Sequence, residues 1–433
     1  MAVTTLRAEV VDLLSRLIQV DTTNPPGNET AAAELLRDYL EGSGVECELY
    51  ARVPQRANLV ARIRGRGEGP TLLFLSHTDV VLADPREWAV PPFSGEVRDD
   101  EIWGRGALDM KGQVAASAVA IASLAREGFE PSGDLIFAAT ADEEVGDDFG
   151  LSWLCREHPD AVRCDFAINE GAGERVELAG GGYYICAAAE KMTAPFRVHV
   201  RGRSGHASMP GIADNALVKA APLIERIAAY EPEPQVQPEV EACLRILLGE
   251  VPPAREVVER TRAVDETLAD LLQPLLAETF SPTIIEASHK RNVIPALCTI
   301  EVDCRLLPGQ TPADVEPVVR RVLGDDVDFE LEFLEAQGGT RSALDTPLWG
   351  AVDAFVAQVD PTARAVPICC AGFTDSHWLR EAFGTVAYGF FPSRTMPGDV
   401  SATLIHSADE RVPIDDLELG LDWLRFAARH VLG

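Results

Sequence analysis

The stretch GDLIFAATADEE, residues 133–144, shows the pattern that decides the fold. An apolar run of strand length ends in a group of acidic side chains that includes Glu143 and Glu144. Two other apolar runs, TLLFLSH at 71–77 and CDFAINEG at 164–171, also end in polar residues. Continuous apolar strands separated by helical patterns are typical of a sheet that is buried on both faces. We therefore predict an α/β fold.

The chain divides at two glycine-containing breaks, AGGGYY and AQGGTRSALDTP. The segment between them has the order strand, helix, strand, strand, helix, strand once a helix-rich insertion at about 238–279 is left out, which is the order of a ferredoxin-like unit. The first pattern returns after the second break. The sequence thus predicts an α/β domain of residues 1–186 and 338–433, interrupted by an inserted α+β domain at 187–337.

The composition excludes several classes of protein. The 433 residues carry a net charge of −31, which argues against binding to nucleic acid or to an anionic membrane surface. The nine cysteines include no CxxC pair, so a secreted disulfide framework is not expected. No apolar run is long enough to span a membrane, and the N-terminus lacks a signal-peptide core. We expect a cytoplasmic protein.

In open α/β sheets, ligands bind at the carboxyl ends of the strands. Polar residues stand after the apolar runs predicted as strand ends, and one more ends the loop before a long helix. They are His77, Asp79, Asp109, Glu143, Glu144, Glu170 and His406. If the sheet is parallel, these side chains converge on one edge. Imidazole and carboxylate ligands suit zinc, and also cobalt or manganese. So many buried carboxylates would repel one another, and a pair of divalent cations would remove that repulsion.

Each of these residues also has an ordinary structural explanation. His77 alone fits a core histidine, Asp109 fits a helix N-cap, and Glu143 with Glu144 fits a solvated loop. The spacing of His77 and Asp79 favours the metal site, because residues two apart on a strand face the same side. Asp79 is then placed to accept the second ring N–H of His77, a common support for a metal-ligating histidine.

Seven motifs occur in order along the chain: SHTDVV, WGRGALDMKGQ, ATADEEVG, NEG, RGRSGHASMPGIADNA, RNVIPALCTIEVDCR and IHSADE. Together they resemble the family of dinuclear zinc hydrolases that includes aminoacylase, acetylornithine deacetylase, succinyl-diaminopimelate desuccinylase and glutamate carboxypeptidase. The resemblance covers nearly the whole chain, and it implies a zinc-peptidase-like α/β catalytic domain with an inserted lid or dimerisation domain.

The resemblance implies a role for each residue of the predicted metal site. Asp109 bridges two metal ions, most often zinc, and the peptide bond after it is often cis. Asp79 holds His77, and Glu143 is the general base that takes a proton from a metal-bridging water and passes it to the leaving amine. The remaining ligands are His77 and Glu170 for one ion, and Glu144 and His406 for the other.

The resemblance also implies substrate-binding residues. His206 would polarise the scissile carbonyl in the partner subunit, and Asn292 and Arg305 would hold the substrate carboxylate. Without the resemblance, ordinary explanations also remain open. His206 could lie in a surface loop, Asn292 could be a turn residue, and Arg305 could form an ion pair with Asp303. Thr374 lies in FTDSH, which resembles a loop beside the family's site, although a Phe stands where a small residue is common. His377 of that stretch also fits a surface residue, and it is not assigned as a ligand.

The predicted function is hydrolysis of an amide bond next to a free carboxylate, in an N-acyl amino acid or a dipeptide. The resemblance implies either a deacylase or a dipeptidase or carboxypeptidase, and a homodimer formed through the inserted domain. One alternative is a non-catalytic metal-binding or partner-binding protein on the same scaffold. Another is a single-metal enzyme of the aminopeptidase type.

Overall fold

The computed structural model describes residues 5–146, 148–334 and 337–433. The chain forms two compact units, each described here by itself. The first unit comprises the described residues of 1–188, 342–368 and 374–433, and the second comprises the described residues of 189–341 and 369–373. The catalytic role predicted for one segment and the lid or dimerisation role predicted for the other stay predictions.

The secondary structure follows in chain order. The N-terminal part of the chain forms helices α1 (Leu6–Ile18), α2 (Glu29–Glu41), α3 (Lys111–Arg126), α4 (Leu151–Glu157) and α5 (Pro159–Val162). Its strands are β1 (Glu46–Ala51), β2 (Ala57–Ile63), β3 (Leu72–His77), β4 (Glu96–Arg98), β5 (Glu101–Trp103), β6 (Leu135–Thr140), β7 (Phe166–Asn169), β8 (Arg175–Leu178) and β9 (Gly181–Glu190).

The middle and C-terminal parts complete the element list. The middle helices are α6 (Ala216–Ala228), α7 (Pro238–Leu248), α8 (Val257–Arg262), α9 (Glu266–Leu272) and α10 (Pro312–Leu323). The middle strands are β10 (Met192–Thr193), β11 (Phe196–Arg201), β12 (Gly205–His206), β13 (Thr279–Glu286), β14 (Val293–Ile294), β15 (Leu297–Leu306), β16 (Phe329–Phe333) and β17 (Thr340–Arg341). The C-terminal elements are α11 (Pro347–Val359), β18 (Ala363–Cys370), α12 (Ser376–Phe383), β19 (Val386–Gly389), α13 (Gly398–Leu404), β20 (Arg411–Pro413) and α14 (Ile414–Leu432).

The first unit is built on a mixed sheet with the strand order β1-β2-β6-β3-β7-β19-β9. Strands β6, β3, β7 and β19 run parallel to one another, while β2 and β9 pair antiparallel with their neighbours. The predicted α/β class is confirmed. Because the parallel strands point the same way, the residues that follow β3, β6 and β7 meet at one edge of the sheet.

Helices cover both faces of this sheet. On one face α1, α3 and α14 pack together around apolar side chains such as Phe137, Ile121 and Trp423. On the other face Leu154 of α4 and Leu379 of α12 pack against the strands. Every strand residue of β3 and β6 is buried, which explains why these strands are continuous apolar runs rather than alternating ones.

The second unit has an antiparallel sheet in the order β16-β11-β15-β13. Its core joins this sheet to α6 and α10 through residues such as Phe196, Val302 and Leu223. Without α7, α8 and α9 the element order is β-α-β-β-α-β, as in a ferredoxin-like unit. The helix-rich insertion predicted at about 238–279 consists of these helices.

None of the helices in the described part of the chain is both long enough and apolar enough to cross a membrane.

Candidate metal centre

His77 is the last residue of β3, and its side chain is buried at the edge where the parallel strands end. Its Nε2 atom lies 3.1 Å from Asp109 Oδ1 and 3.5 Å from Glu170 Oε1. Glu170 directly follows β7, the neighbour of β3. The imidazole of His77 therefore faces two carboxylates from different parts of the chain.

Asp109 presents its other carboxylate oxygen to the second histidine. Asp109 Oδ2 lies 3.0 Å from His406 Nε2, and that same nitrogen lies 3.2 Å from Glu144 Oε2. The peptide bond between Asp109 and Met110 is cis, as the resemblance implied. Asp109 thus stands between two His–carboxylate pairs, one formed with Glu170 and the other with Glu144.

One expectation about these residues is wrong, and one alternative that the sequence left open is excluded. His406 does not stand at a strand end: the short apolar run before it belongs to helix α13, and His406 has a left-handed backbone with φ +60. Asp109 is not the N-cap of α3. The cap position is Met110, because the helix begins one residue later than an Asp109 cap would require.

Asp79 supports the site differently from the prediction. The Nδ1 atom of His77 lies 3.1 Å from the backbone oxygen of Asp79 but 3.6 Å from its Oδ1, so the backbone carbonyl is the closer partner. The carboxylate of Asp79 instead accepts the backbone N–H groups of Glu143 and Glu144 at 3.2 and 3.1 Å. Asp79 therefore holds the loop that carries both glutamates.

A buried polar network lies behind this loop. The Nδ2 group of Asn24 donates to both Asp79 Oδ2 and Asp142 Oδ1, each at 2.9 Å. Arg56 donates to both oxygens of Glu29 at 2.7 Å and to Asp142 Oδ1 at 2.7 Å. The sequence analysis did not identify Asn24, Glu29 or Arg56, because polar residues far apart in sequence give no local signal of a shared network.

The cluster fits a divalent-metal site by its donor chemistry. His77, Asp109 and Glu144 offer ligand atoms within 4.8 Å of one another, and so do His77, Glu143 and Glu170. Glu144 Oε1 is buried and has no hydrogen-bond partner among the described residues. A buried carboxylate oxygen without a donor is costly unless a cation faces it. These residues would therefore accept metal ions.

The pKa values of these residues are shifted because the residues are buried and several acidic groups lie close together. Without cations, burial raises the pKa of Glu170 to about 7 and the pKa of Glu143 well above its usual range. Hydrogen bonds with Asp109 and Glu144 raise the pKa of His406 to about 10. Burial would raise the pKa of Asp109, but hydrogen bonds with both histidines lower it instead. The histidines only partly offset the repulsion among the carboxylates.

The sequence resembles one known protein family along most of its length. The model of peptidase family M20/M25/M40 matches residues 73–430. The chain belongs to this family. The succinyl-diaminopimelate desuccinylase of Delftia acidovorans is 34% identical over 427 residues, which cover 95% of each chain. Aminoacylase-1 of Sus scrofa is 27% identical, over 93% of this chain and 90% of the relative.

A solved structure shows that the fold is shared as well. An M20 family metallo-carboxypeptidase of Sulfolobus solfataricus superposes with a TM-score of 0.75 at 18% identity, covering 97% of this chain and 98% of that one. Membership of the M20 family makes this chain a metal-dependent amide hydrolase. The non-catalytic alternative is not favoured.

Asp375 is a buried acidic residue that was not among the residues predicted from the sequence. Its Oδ2 accepts a hydrogen bond from Thr140 Oγ1 at 3.1 Å, and burial raises its pKa to about 7. Its Oδ1 has no hydrogen-bond partner among the described residues. Asp375 follows Thr374, a predicted site residue that is also buried. Both belong to the motif FTDSH, so this motif could have pointed to Asp375 as well. His377 of the same motif is buried, so it is not a surface residue.

The remaining predicted residues of this M20 chain lie in the second unit. His206 and Asn292 are both exposed. The Nδ1 atom of His206 lies 2.7 Å from Ser208 Oγ. The backbone oxygen of Asn292 accepts the N–H of Ala207, which places Asn292 beside His206. Arg305 donates to Asp303 at 2.9 and 3.1 Å and to Thr193 Oγ1 at 2.7 Å. The ion pair left open by the sequence is therefore present.

Proposed function

We propose that this M20 chain hydrolyses an amide bond next to a free carboxylate, as an N-acyl amino acid deacylase or as a dipeptidase or carboxypeptidase. One observation carries the proposal. The two oxygens of Asp109 lie 3.1 and 3.0 Å from His77 and His406, and each of these histidines contacts a further carboxylate. This arrangement suits a carboxylate shared by two cations.

Five residues would hold the two cations. The proposed ligands are His77, Asp109 and Glu170 for one ion, and Asp109, Glu144 and His406 for the other. Zinc is the proposed metal, with cobalt or manganese as substitutes, because imidazole and carboxylate ligands suit all three. When bound, the ions supply Lewis acidity and lower the pKa of a water molecule.

Glu143 is the proposed general base. One carboxylate oxygen of Glu143 lies within 4.8 Å of a ring nitrogen of His77 and of a carboxylate oxygen of Glu170. The carboxyl group of Glu143 is therefore next to the proposed ligands. The hydrogen bond from its backbone N–H to Asp79 fixes the start of its side chain. Glu143 would accept a proton from the attacking water and donate it to the nitrogen of the leaving amine.

Substrate recognition is proposed for His206, Asn292, Arg305 and Thr374. Arg305 suits a substrate carboxylate because its guanidinium group can bind both oxygens. The ion pair of Arg305 with Asp303 leaves one guanidinium nitrogen directed to Thr193, so a substrate would have to compete with these partners. The names of the relatives, a desuccinylase and an aminoacylase, support an acylated amino acid as substrate.

We also propose a homodimer formed through the second unit. Its helix α6 exposes Leu217 and Val218, the latter 66% exposed, and its edge strand β13 exposes Ile284 and Ile285. Exposed apolar residues on a helix and an edge strand are typical of an interface.

The nine cysteines are free, which supports a reducing, cytoplasmic location.

Sedimentation velocity tests the dimer. Val218→Glu places a charge on the exposed face of α6 and is expected to convert the dimer to monomer, while Val97→Glu in β4 of the first unit changes an equally apolar exposed residue and leaves the dimer intact. A wild-type protein that sediments as a monomer with full activity contradicts both the dimer and a role for His206 in the partner subunit.

Amine release from a panel of N-acyl amino acids and dipeptides, with zinc or cobalt added, tests the activity. Turnover of N-acyl amino acids alone identifies a deacylase, and turnover of dipeptides alone identifies a peptidase. A wild type that binds no metal and hydrolyses no member of the panel contradicts the proposal. Metal analysis at saturation distinguishes two ions from one, and a single ion at full activity favours the aminopeptidase-type alternative.

A further inference from the structure

We propose that Glu410 is a positioning residue for Asp109, the ligand proposed to bridge both cations. Glu410 is fully buried. Its Oε1 accepts the backbone N–H groups of Leu108 and Asp109 at 2.8 and 3.0 Å. Its Oε2 accepts the N–H of Gly106 at 3.0 Å and a hydrogen bond from Arg105 at 2.6 Å. One carboxylate thus fixes the segment that ends in Asp109.

The same residue connects two proposed ligands. Glu410 follows His406 by four positions, in the loop between α13 and β20. The backbone oxygen of Glu410 accepts the N–H of Gly104 at 2.9 Å, so its main chain and its side chain both hold the segment before Asp109. The distance from Asp109 to His406 therefore depends on Glu410.

Only a carboxylate can satisfy all four donors. Glutamine has the same shape, but its amide group offers one acceptor oxygen and an NH₂ group that cannot accept a hydrogen bond. Glu410→Gln therefore leaves donors of the Asp109 segment facing another donor, whichever way the amide is oriented. It also leaves the Arg105 guanidinium beside a neutral group.

Asp416 provides a matched control in the same unit. It is buried, and its carboxylate accepts the backbone N–H groups of Arg394, Thr395 and Met396 at 2.8–2.9 Å. None of these residues is among the proposed ligands. Asp416→Asn and Glu410→Gln thus remove the same kind of interaction, and both are expected to lower the melting temperature. Only Glu410→Gln is expected to alter metal binding.

The experiment titrates metal-free wild type, Glu410→Gln and Asp416→Asn with Co²⁺, followed by visible absorption and by metal analysis. This inference rests on the proposed function. We expect Glu410→Gln to bind at least one Co²⁺ about 10–100-fold more weakly, as is usual when a residue behind a metal ligand is changed. Its kcat should fall while its KM stays near the wild-type value, and Asp416→Asn should bind Co²⁺ as the wild type does.

The possible outcomes separate this inference from the proposed function. A folded Glu410→Gln protein that binds two Co²⁺ ions with wild-type affinity overturns the role of Glu410 alone. A wild type that binds no Co²⁺ overturns the proposed function and this inference with it. If Glu410→Gln does not fold, Glu410→Asp keeps the charge with a shorter side chain, and wild-type affinity in that variant likewise overturns the inference.

Discussion

Among single residues, five carboxylates of this centre divide into two groups according to what they contact. Asp109, Glu144 and Glu170 face the histidines. Asp79 and Glu410 instead accept backbone N–H groups from the segments that carry the first group. Residue type and strand-end position predicted Glu144 and Glu170, while Asp109 was predicted at the end of the loop before a helix. They did not predict the hydrogen-bond partners of the second group, because those depend on loop conformations.

Arg56 provides a prediction about stability. It is buried between Glu29 and Asp142, both of which are also buried. Arg56→Ala leaves two carboxylates without their cation and should lower the free energy of unfolding by about 3–5 kcal/mol. Urea denaturation followed by circular dichroism measures this change.

The control for Arg56 is an exposed ion pair. Arg64→Ala removes the partner of Glu46, and both of these side chains are largely exposed. This variant should cost no more than about 1 kcal/mol. Equal losses in the two variants would contradict the view that burial makes the Arg56 network important.

At the scale of elements, the apolar runs before His77, Glu143 and Glu170 predicted β3, β6 and β7 because these strands are buried on both faces. The run before His406 is too short to distinguish a helix from a strand by periodicity, and it forms α13. Strand β13 contains Pro282, and its pairing with β15 shifts between Pro282 and Ile284. A proline inside an apolar run weakens the strand pattern, because prolines occur in sheets mainly on edge strands and at bulges.

Lys191 provides a prediction about the helical insertion. Its buried ammonium group donates to the backbone oxygens of Pro274 and Ala277 at 2.9 and 2.8 Å, where the insertion ends. Burial lowers the pKa of Lys191 from 10.5 to about 8. The unfolded chain therefore binds one more proton than the folded protein between these pH values, and Lys191 contributes a rise in stability from pH 8 to 10.5.

Lys191→Met removes this contribution. The wild-type stability should rise relative to that of the variant by on the order of 2 kcal/mol across this range. Urea denaturation of both proteins at several pH values measures the difference. Parallel stability curves would show that Lys191 titrates in the folded protein as it does in water.

At the scale of the whole molecule, the net charge of −31 and the buried carboxylates of the centre have the same consequence. Acidic groups held close together destabilise the folded chain unless cations balance them. The family match explains why the protein holds these acidic groups together, since M20 chains are metal-dependent hydrolases. The net charge alone supports only an expectation about partners, whereas the ordered motifs predicted the family that the match confirms.

Metal removal should therefore destabilise the whole protein. After treatment with a chelator the melting temperature should fall, and zinc should restore it, because ligands that bind only the folded state add about 2.7 kcal/mol per site at 100 times Kd. Differential scanning calorimetry with and without zinc measures the effect. An unchanged melting temperature would contradict a metal site among these residues.

Glu143 is proposed to move protons while its neighbours hold the metal. This role is tested by comparing kcat and bound metal in wild type, Glu143→Gln and Glu239→Gln, the last being a buried glutamate of the second unit. We expect Glu143→Gln to keep both metal ions and to lose about 10²–10⁴-fold in kcat, while Glu239→Gln keeps its rate. A Glu143→Gln enzyme with wild-type kcat would show that Glu143 is not the general base.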